Sequence, residues 1–549
     1  MKMKNDNKTL VGHIIEATGA EFVARLISEE DGFTPEIQRG DDTIHVGQVG
    51  SYMLVVQSDF RLLVMVESMW QQQGMADESI RMLRLSPLGE LGYDDEFRRG
   101  VKHFPTTGAE LHIITVEALA KLFADFNAAN YKVGKLSAFE SIDVYFDASA
   151  FFGRHVAILG QSGSGKSWSV TSLIQSALKA MPNAHIVLLD LHGEYGLKQN
   201  NLGSHSVFPR EVVRTLDADD LEIPYWLLTF EELVDLLIDM EDDNASVQIA
   251  FLRNAVHELK ISANGHLKLG HITVDTPIYF SLPELYKRFK SANEQTASFG
   301  KDTTALYGRF DQLLVKLESR MNDTRYDFLL KPGRRTSSES LPGLMRDFIG
   351  LGEPRAKITV IDLSAVPFDV YPTVTAQIGR LAFEFNYWNP RCREFPIFLV
   401  CEEAHAYIPR ENTAHSRQTR RAMERIAKTG RKYGVGLCVV SQRPHELSET
   451  VLSQCSSYVC LRISNPDDQA YVRQLVPDAA RGMLDALPSL ARGEAIAVGE
   501  AVPMPIRLQI TLPNPPPNSS NIDYAGEWLN GPEEINVDDV VNRWRRQER

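Results

Sequence analysis

The sequence predicts an α/β protein, a twisted and largely parallel sheet covered by helices, with a small β-barrel ahead of it. Three observations carry this. A short apolar run, His155–Leu159, leads through a glycine-rich loop into the helical periodicity of 166–179, and then into a second apolar run at 184–191. That is the order of a βαβ unit. Further short apolar runs follow at 358–363, 395–401, 436–441, 458–463, 494–498 and 506–510, several of them separated by helical segments. The first 145 residues differ: short apolar runs such as Tyr52–Gln57 and 62–67 alternate with Gly, Asp and Pro, and 49–51 and 86–89 read as turns.

Taken in order, residues 1–145 form the barrel, with a short helix at 116–127 closing it. Residues 146–229 and 350–512 form the α/β core. Between them, 230–349 is rich in helical patterns, for example at 231–240 and 310–322, and reads as a helical insertion. From Pro513 the composition becomes that of a linker. The tail 513–549 ends in a short helix at 537–549 that carries Arg543, Arg545, Arg546 and Arg549.

A chain of 549 residues needs several cores, and 43% hydrophobic with 24% charged residues is an ordinary globular balance. No apolar run approaches the ~18 residues that span a bilayer. The start is polar and lysine-rich, so no secretory leader and no membrane association are expected. Five cysteines with no CxxC pair argue against a disulfide framework or a zinc site, and a reduced, cytoplasmic setting is expected. Lys and Arg number 58 against 72 Asp and Glu, a net charge of −14. That excludes a globally basic DNA-binding protein; any DNA contact must use basic groups gathered in one place, such as a channel.

Gly160-Gln161-Ser162-Gly163-Ser164-Gly165-Lys166-Ser167 fits G-x-x-x-x-G-K-[ST] between a strand and a helix. Backbone amides of Gly160, Ser162, Gly163, Ser164 and Gly165 are placed to wrap phosphates, Lys166 supplies a point charge, and the Ser167 hydroxyl suits Mg²⁺. Trp168, next in the helix, counts with the nucleotide-binding residues. The apolar run 395–401 ends in Glu402-Glu403-Ala404-His405. Carboxylates at a strand's C-terminal end suit metal and water: Glu402 would hold hydrated Mg²⁺ and Glu403 would act as general base. The alternative is two solvated acids opening a helix. Asp190, ending the strand after the phosphate-loop helix, either reaches the Mg²⁺ shell or makes a polar turn. Gln442 in Ser441-Gln442-Arg443-Pro444 is placed to hydrogen-bond the γ-phosphate or water. His192 and His405 lack ligand spacing and read as structural or supporting groups. Arg417, Arg421, Arg425, Lys428 and Lys432 line one helical face, either solvated or facing DNA phosphate or another subunit. Arg431 lies off that face and is a separate candidate for a transition-state cation.

These motifs resemble the HerA family of hexameric ATPases, within the FtsK–HerA group of P-loop motors. Pro87-Leu88-Gly89-Glu90, the Arg99-Gly100-Val101 stretch that ends in Pro105, Arg154-His155, Asp190 to Tyr195, Glu402 to His405, Gly430-Arg431-Lys432 and Ser441 to Pro444 fall in the family's order. The resemblance covers most of the chain. It implies a RecA-like core with an N-terminal barrel, a helical insertion, and a C-terminal arm bracing the next subunit. It implies ATP with Mg²⁺, Glu403 as catalytic glutamate, Gln442 as a sensing residue, and Arg154 and Arg431 completing the site at a subunit boundary. Glu402 departs from the family's usual aspartate. The family also implies a homohexameric ring on double-stranded DNA, working with a nuclease or sirtuin-like effector in DNA end processing or anti-phage defence.

The leading expectation is therefore an ATP-driven DNA translocase. A nucleotide-gated scaffold that activates an effector nuclease is the second, and a small-molecule kinase is the third.

Overall fold

The computed structural model describes residues 9–546, apart from 28–35, 40–41, 59, 74–78, 93–95, 125, 128, 197, 201–202, 264, 266, 296–303, 368–369, 412–415, 478–479, 520–522 and 532–533. The chain divides into two compact units. The first comprises Met1–Ala184, Glu403–Glu411 and Ile426–Asn514; the second comprises His185–Glu402, Asn412–Arg425 and Pro515–Arg549.

The first unit opens with a six-stranded antiparallel barrel. Phe22–Leu26, Leu10–Ala17, Glu110–Ile113, Tyr52–Gln57, Phe60–Gln73 and Ser79–Leu91 pair in that order, and the last pairs back to the first. Closure removes the unpaired edges an open sheet would expose. Alternate residues point inward, so Ile14, Phe22, Val55, Leu62, Val64 and Leu85 fill the centre. The turn read at 86–89 is instead the interior of the Ser79–Leu91 strand. Pro87 has no N–H to give the ladder and sits opposite Val64, beside the register shift between Leu63 and Val64, where a strand tolerates it. Gly89 is required for a different reason: a Cβ there would lie 2.4 Å from the Arg98 carbonyl oxygen. The helix expected at 116–127 runs over Val116–Ala124.

The barrel is tied to the rest of this unit through its polar groups. Tyr52 donates its hydroxyl to the Pro505 carbonyl at 2.7 Å, and Arg99 Nε donates to the Pro503 carbonyl at 3.0 Å. Beyond lies a sheet in the order Phe139–Tyr145, Lys132–Leu136, Ile506–Ile510, Glu494–Gly499, Cys455–Cys460, His155–Leu159, Val435–Ser441. The last three are parallel and the others antiparallel. The expectation of a largely parallel sheet thus fails at this end, where hairpins need no crossover helix. The strand read at 458–463 lies at Cys455–Cys460. Leu461 and Ile463 are as buried as strand residues, so their apolarity marks the core rather than the ladder.

In the second unit, four parallel strands run in the order Ile397–Cys401, Ile186–Asp190, Ile358–Asp362, Val213–Leu216. Helices Phe230–Leu237, Ala245–Ala263, Leu282–Glu294, Asp311–Asn322 and Tyr371–Trp388 follow their apolar periodicity. Phe230–Leu237 starts on a capping box between Thr229 and Glu232. Phe251, Phe289 and Phe310 meet with ring centroids 4.9–5.0 Å apart. The tail helices Tyr524–Asn530 and Val537–Arg546 bury no side chain. No helix among the described residues is long and apolar enough to cross a membrane.

Candidate nucleotide site

The phosphate loop joins His155–Leu159 to the helix Lys166–Ala180. Gly163 and Gly165 take φ of 74° and 98°, values that favour glycine and turn successive amides to one side. A Cβ on Gly160 would meet Ser164 Oγ at 2.8 Å and Leu461 Cβ at 2.9 Å. Three neighbouring segments fix the loop. Gly160 N donates to the Ser441 carbonyl at 3.2 Å, Gln161 N to the Arg462 carbonyl at 3.0 Å, and Gly493 N to the Ser164 carbonyl at 3.0 Å. Ser162 and Gly163 form the solvent-exposed crest, whereas Ser164 is fully buried with no hydrogen-bond partner for its Oγ.

Glu403 follows directly on the Ile397–Cys401 strand and Glu402, and its backbone is left-handed, with φ 45° and ψ 43°. That is uncommon for a residue with a side chain and marks a site where position outweighs comfort. The turn brings its Oε1 to 3.4 Å from Lys166 Nζ, with both side chains nearly buried, at 11% and 8% exposure. His405 Nδ1 lies 3.2 Å from Glu403 Oε2 and 3.3 Å from Ser441 Oγ. Only the second contact has hydrogen-bond alignment, so Glu403 Oε2 is left without a hydrogen bond. Burial lowers the His405 pKa, partly offset by Glu403 and Glu446, and keeps the ring neutral beside the carboxylate. Gln442 is half-buried, directly after the Ser441 whose carbonyl holds Gly160.

In the second unit, Asp190 and Glu402 share a different environment. Asp190 is fully buried and accepts from the amides of Glu194 at 3.0 Å and Tyr195 at 2.9 Å. Burial raises its pKa to about 6 against the pull of those amides. Both of its oxygens accept from the loop that follows, the contacts the polar-turn reading expects. Tyr195 donates its hydroxyl to Glu402 Oε1, and Glu402 is 2% exposed. Sequence reasoning gave Tyr195 no role; nothing local ties it to a carboxylate so far along the chain.

The arginines stand apart from the loop. Arg154 precedes His155–Leu159, at the end of that strand opposite to the loop, and ion-pairs with Glu500. Five residues at ~3.3 Å each put the loop roughly 16 Å away. Arg431 lies in the turn Gly430–Tyr433 before the parallel strand Val435–Ser441, again at the far end from Gln442. The basic strip on Arg417–Thr429 is largely spoken for. Arg421 pairs with Glu231, Arg425 pairs with Glu384 at 2.8 Å and lies over Phe383, and Arg417 acts on Asp235. These three residues meet acids of their own chain, while Arg421 and Arg425 stay 60% and 47% exposed. His192 is exposed.

The residues fit a magnesium nucleotide. The buried, unpartnered Ser164 Oγ, the left-handed glycines and the helix N-terminus suit phosphate oxygens. No cluster of three acidic, His or Cys side chains able to hold a metal exists among the described residues. A hydroxyl such as that of Ser167 matches what Mg²⁺ takes from protein when phosphates and water supply the rest.

Residues 131–381 match the family model for the central domain of the helicase HerA. The chain is 28% identical over 458 residues to the DNA double-strand break repair helicase HerA of Sulfolobus acidocaldarius, covering 80% of each chain. It is 27% identical over 538 residues to that of Pyrococcus furiosus, covering 92% of this chain and 89% of the relative. Among solved structures, VirB4 of Thermoanaerobacter pseudethanolicus aligns at 18% identity and TM-score 0.45, over 70% of this chain and 97% of that one. With a phosphate loop and relatives of this kind along most of its length, the chain is similar to the HerA helicases and, like them, carries the core of a P-loop ATPase.

Proposed function

We propose that this ATPase is a motor that moves double-stranded DNA through a homohexameric ring, with a nuclease or sirtuin-like effector as partner, in DNA end processing or anti-phage defence. The observation that carries the hydrolytic half is the buried Lys166–Glu403 pair at the head of the phosphate loop, at 3.4 Å. The DNA half is supported by the relatives, which are named as DNA repair helicases.

In this reading the amides of residues 160–165 bind the phosphates and Lys166 neutralises the β/γ charge. Glu403 takes the proton of the water that attacks the γ-phosphorus, as the bond to the leaving ADP oxygen breaks. Neutral His405, hydrogen-bonded to Ser441, lies beside the Glu403 carboxylate, and Gln442 orients the water or the γ-phosphate. Mg²⁺, held by Ser167, would offset charge on the phosphate oxygens. Arg154 and Arg431, far from their own loop, serve the loop of an adjoining subunit, where such a cation is worth several orders of magnitude in rate. The two helices of the C-terminal arm, with no buried side chain, brace that neighbour.

A second reading, a nucleotide-gated scaffold for an effector nuclease, is favoured by one observation: Arg421 and Arg425 of the basic strip are paired with the chain's own acids. The test is steady-state ATP turnover with and without long double-stranded DNA, with Glu403→Gln as the blank. Several-fold stimulation is expected. A rate indifferent to DNA would overturn the motor and leave the scaffold.

A further inference from the structure

The phosphate loop carries a second feature at its helix end. Trp168 follows Ser167 in the first turn of Lys166–Ala180. Its indole is half-buried, and Nε1 is buried with no hydrogen-bond partner. Over the ring lies the guanidinium of Arg492, 5.3 Å from the ring centroid. Arg492 is exposed and comes from the turn that precedes the Glu494–Gly499 strand.

That turn is fastened to the loop. Gly493 N donates to the Ser164 carbonyl at 3.0 Å, and Gln509 Nε2 reaches the Arg492 carbonyl at 3.5 Å. A Cβ on Gly165 would lie 3.0 Å from Gly493 N and 3.5 Å from Arg492 Cγ, so the two segments touch at a glycine. The backbone segments that carry Trp168 and Arg492 therefore keep a fixed relation to whatever the loop holds.

We propose that Trp168 and Arg492 form the clamp for the nucleobase of the bound nucleoside triphosphate. The inference rests on the reading of the loop as the ATP site. Phosphates seated on the loop leave the nucleoside end to project along the first turn of the helix, where Trp168 stands. Bases stack on indole rings and on guanidinium planes alike. With no base present, the exposed guanidinium lies on the indole itself; with a base present, it swings out and closes over it. A surface cation–π contact alone gives no reason for an indole N–H buried without a partner beside a phosphate site. A ribose hydroxyl is an acceptor of the right kind for it.

The test compares ATP with inorganic tripolyphosphate, which has the phosphates and no base, both with Mg²⁺, by calorimetric titration of the full chain. Arg492→Ala is expected to weaken ATP about tenfold and leave tripolyphosphate unchanged. ATP should also quench indole fluorescence in the wild type while tripolyphosphate does not, and Trp168→Phe should lose that quench while keeping ATP affinity within a few-fold. Equal weakening of both ligands by Arg492→Ala, or of neither, overturns the clamp, as does a quench that survives Trp168→Phe. Failure of the wild-type protein to bind either ligand would overturn the ATP site itself, and the clamp with it.

Discussion

Glu402 and Glu403 are chain neighbours with the same side chain, and the structure treats them oppositely. Glu402 follows the Ile397–Cys401 strand, is buried, and receives the Tyr195 hydroxyl. Glu403 is turned by a left-handed backbone toward Lys166. One carboxylate thus faces a phenol hydroxyl and the other the cation of the phosphate loop. Adjacent position in sequence says little about surroundings; the backbone turn between the two sets what each meets.

The largest expected effect separates the two acids directly. Glu403→Gln should lower ATP turnover by about 10²–10⁴-fold while ATP still binds, because a proton acceptor is removed and the shape kept. Glu402→Gln should cost less at saturating Mg²⁺. Single-turnover rates for both variants check this, and equal losses would erase the distinction.

A second effect contrasts the strands that start and end near these groups. Burial lowers His155 from an ordinary 6.5 to about 4, so folded protein binds fewer protons there than unfolded chain. The stability this gives is full above pH 6.5 and is lost as pH falls toward 4. Asp190 is raised from 3.8 to about 6, so the folded form binds more protons, and stability is lost as pH rises across that interval. Each amounts to roughly 3 kcal/mol, with opposite sign. Hydrogen-exchange protection, corrected for intrinsic rates, should therefore fall in His155–Leu159 and rise in Ile186–Asp190 on going from pH 6.5 to 4.5. His155→Gln and Asp190→Asn should each flatten their own strand's response.

The smallest effect tests Glu402 through its donor. Tyr195→Phe should destabilise the fold by about 2 kcal/mol in urea denaturation, since a buried carboxylate loses a donor. It should leave tripolyphosphate binding at Lys166 intact.

The features legible in the sequence are those written in consecutive residues. The phosphate loop is one, because its glycines, lysine and serine act through local backbone geometry. The six core strands foreseen after residue 350 are nearly all in place, since apolar runs of that length have few other fates. Glu403 was legible from its place after an apolar run, although nothing in that run announces φ 45°. What escaped reading depends on partners distant in sequence. Examples are Tyr195 on Glu402, Arg492 over Trp168, and Glu231 and Glu384 on the basic strip. The strip shows the cost most clearly, because helical spacing gives the face but not what the face meets. Pro87 misled in a different way, since a turn-forming residue also fits a strand where the register slips.

The left-handed turn at Glu403 has a bearing on how this chain can change over generations. Such a conformation suits glycine better than glutamate, by an amount on the order of 1–3 kcal/mol for strained non-glycine residues. Folding alone would thus reward losing the carboxylate at this position. Random drift, filtered only for a well-folded product, would run downhill to a chain without this carboxylate. A glutamate here is what selection for turnover would keep against the preference of the backbone, as the proposed function requires.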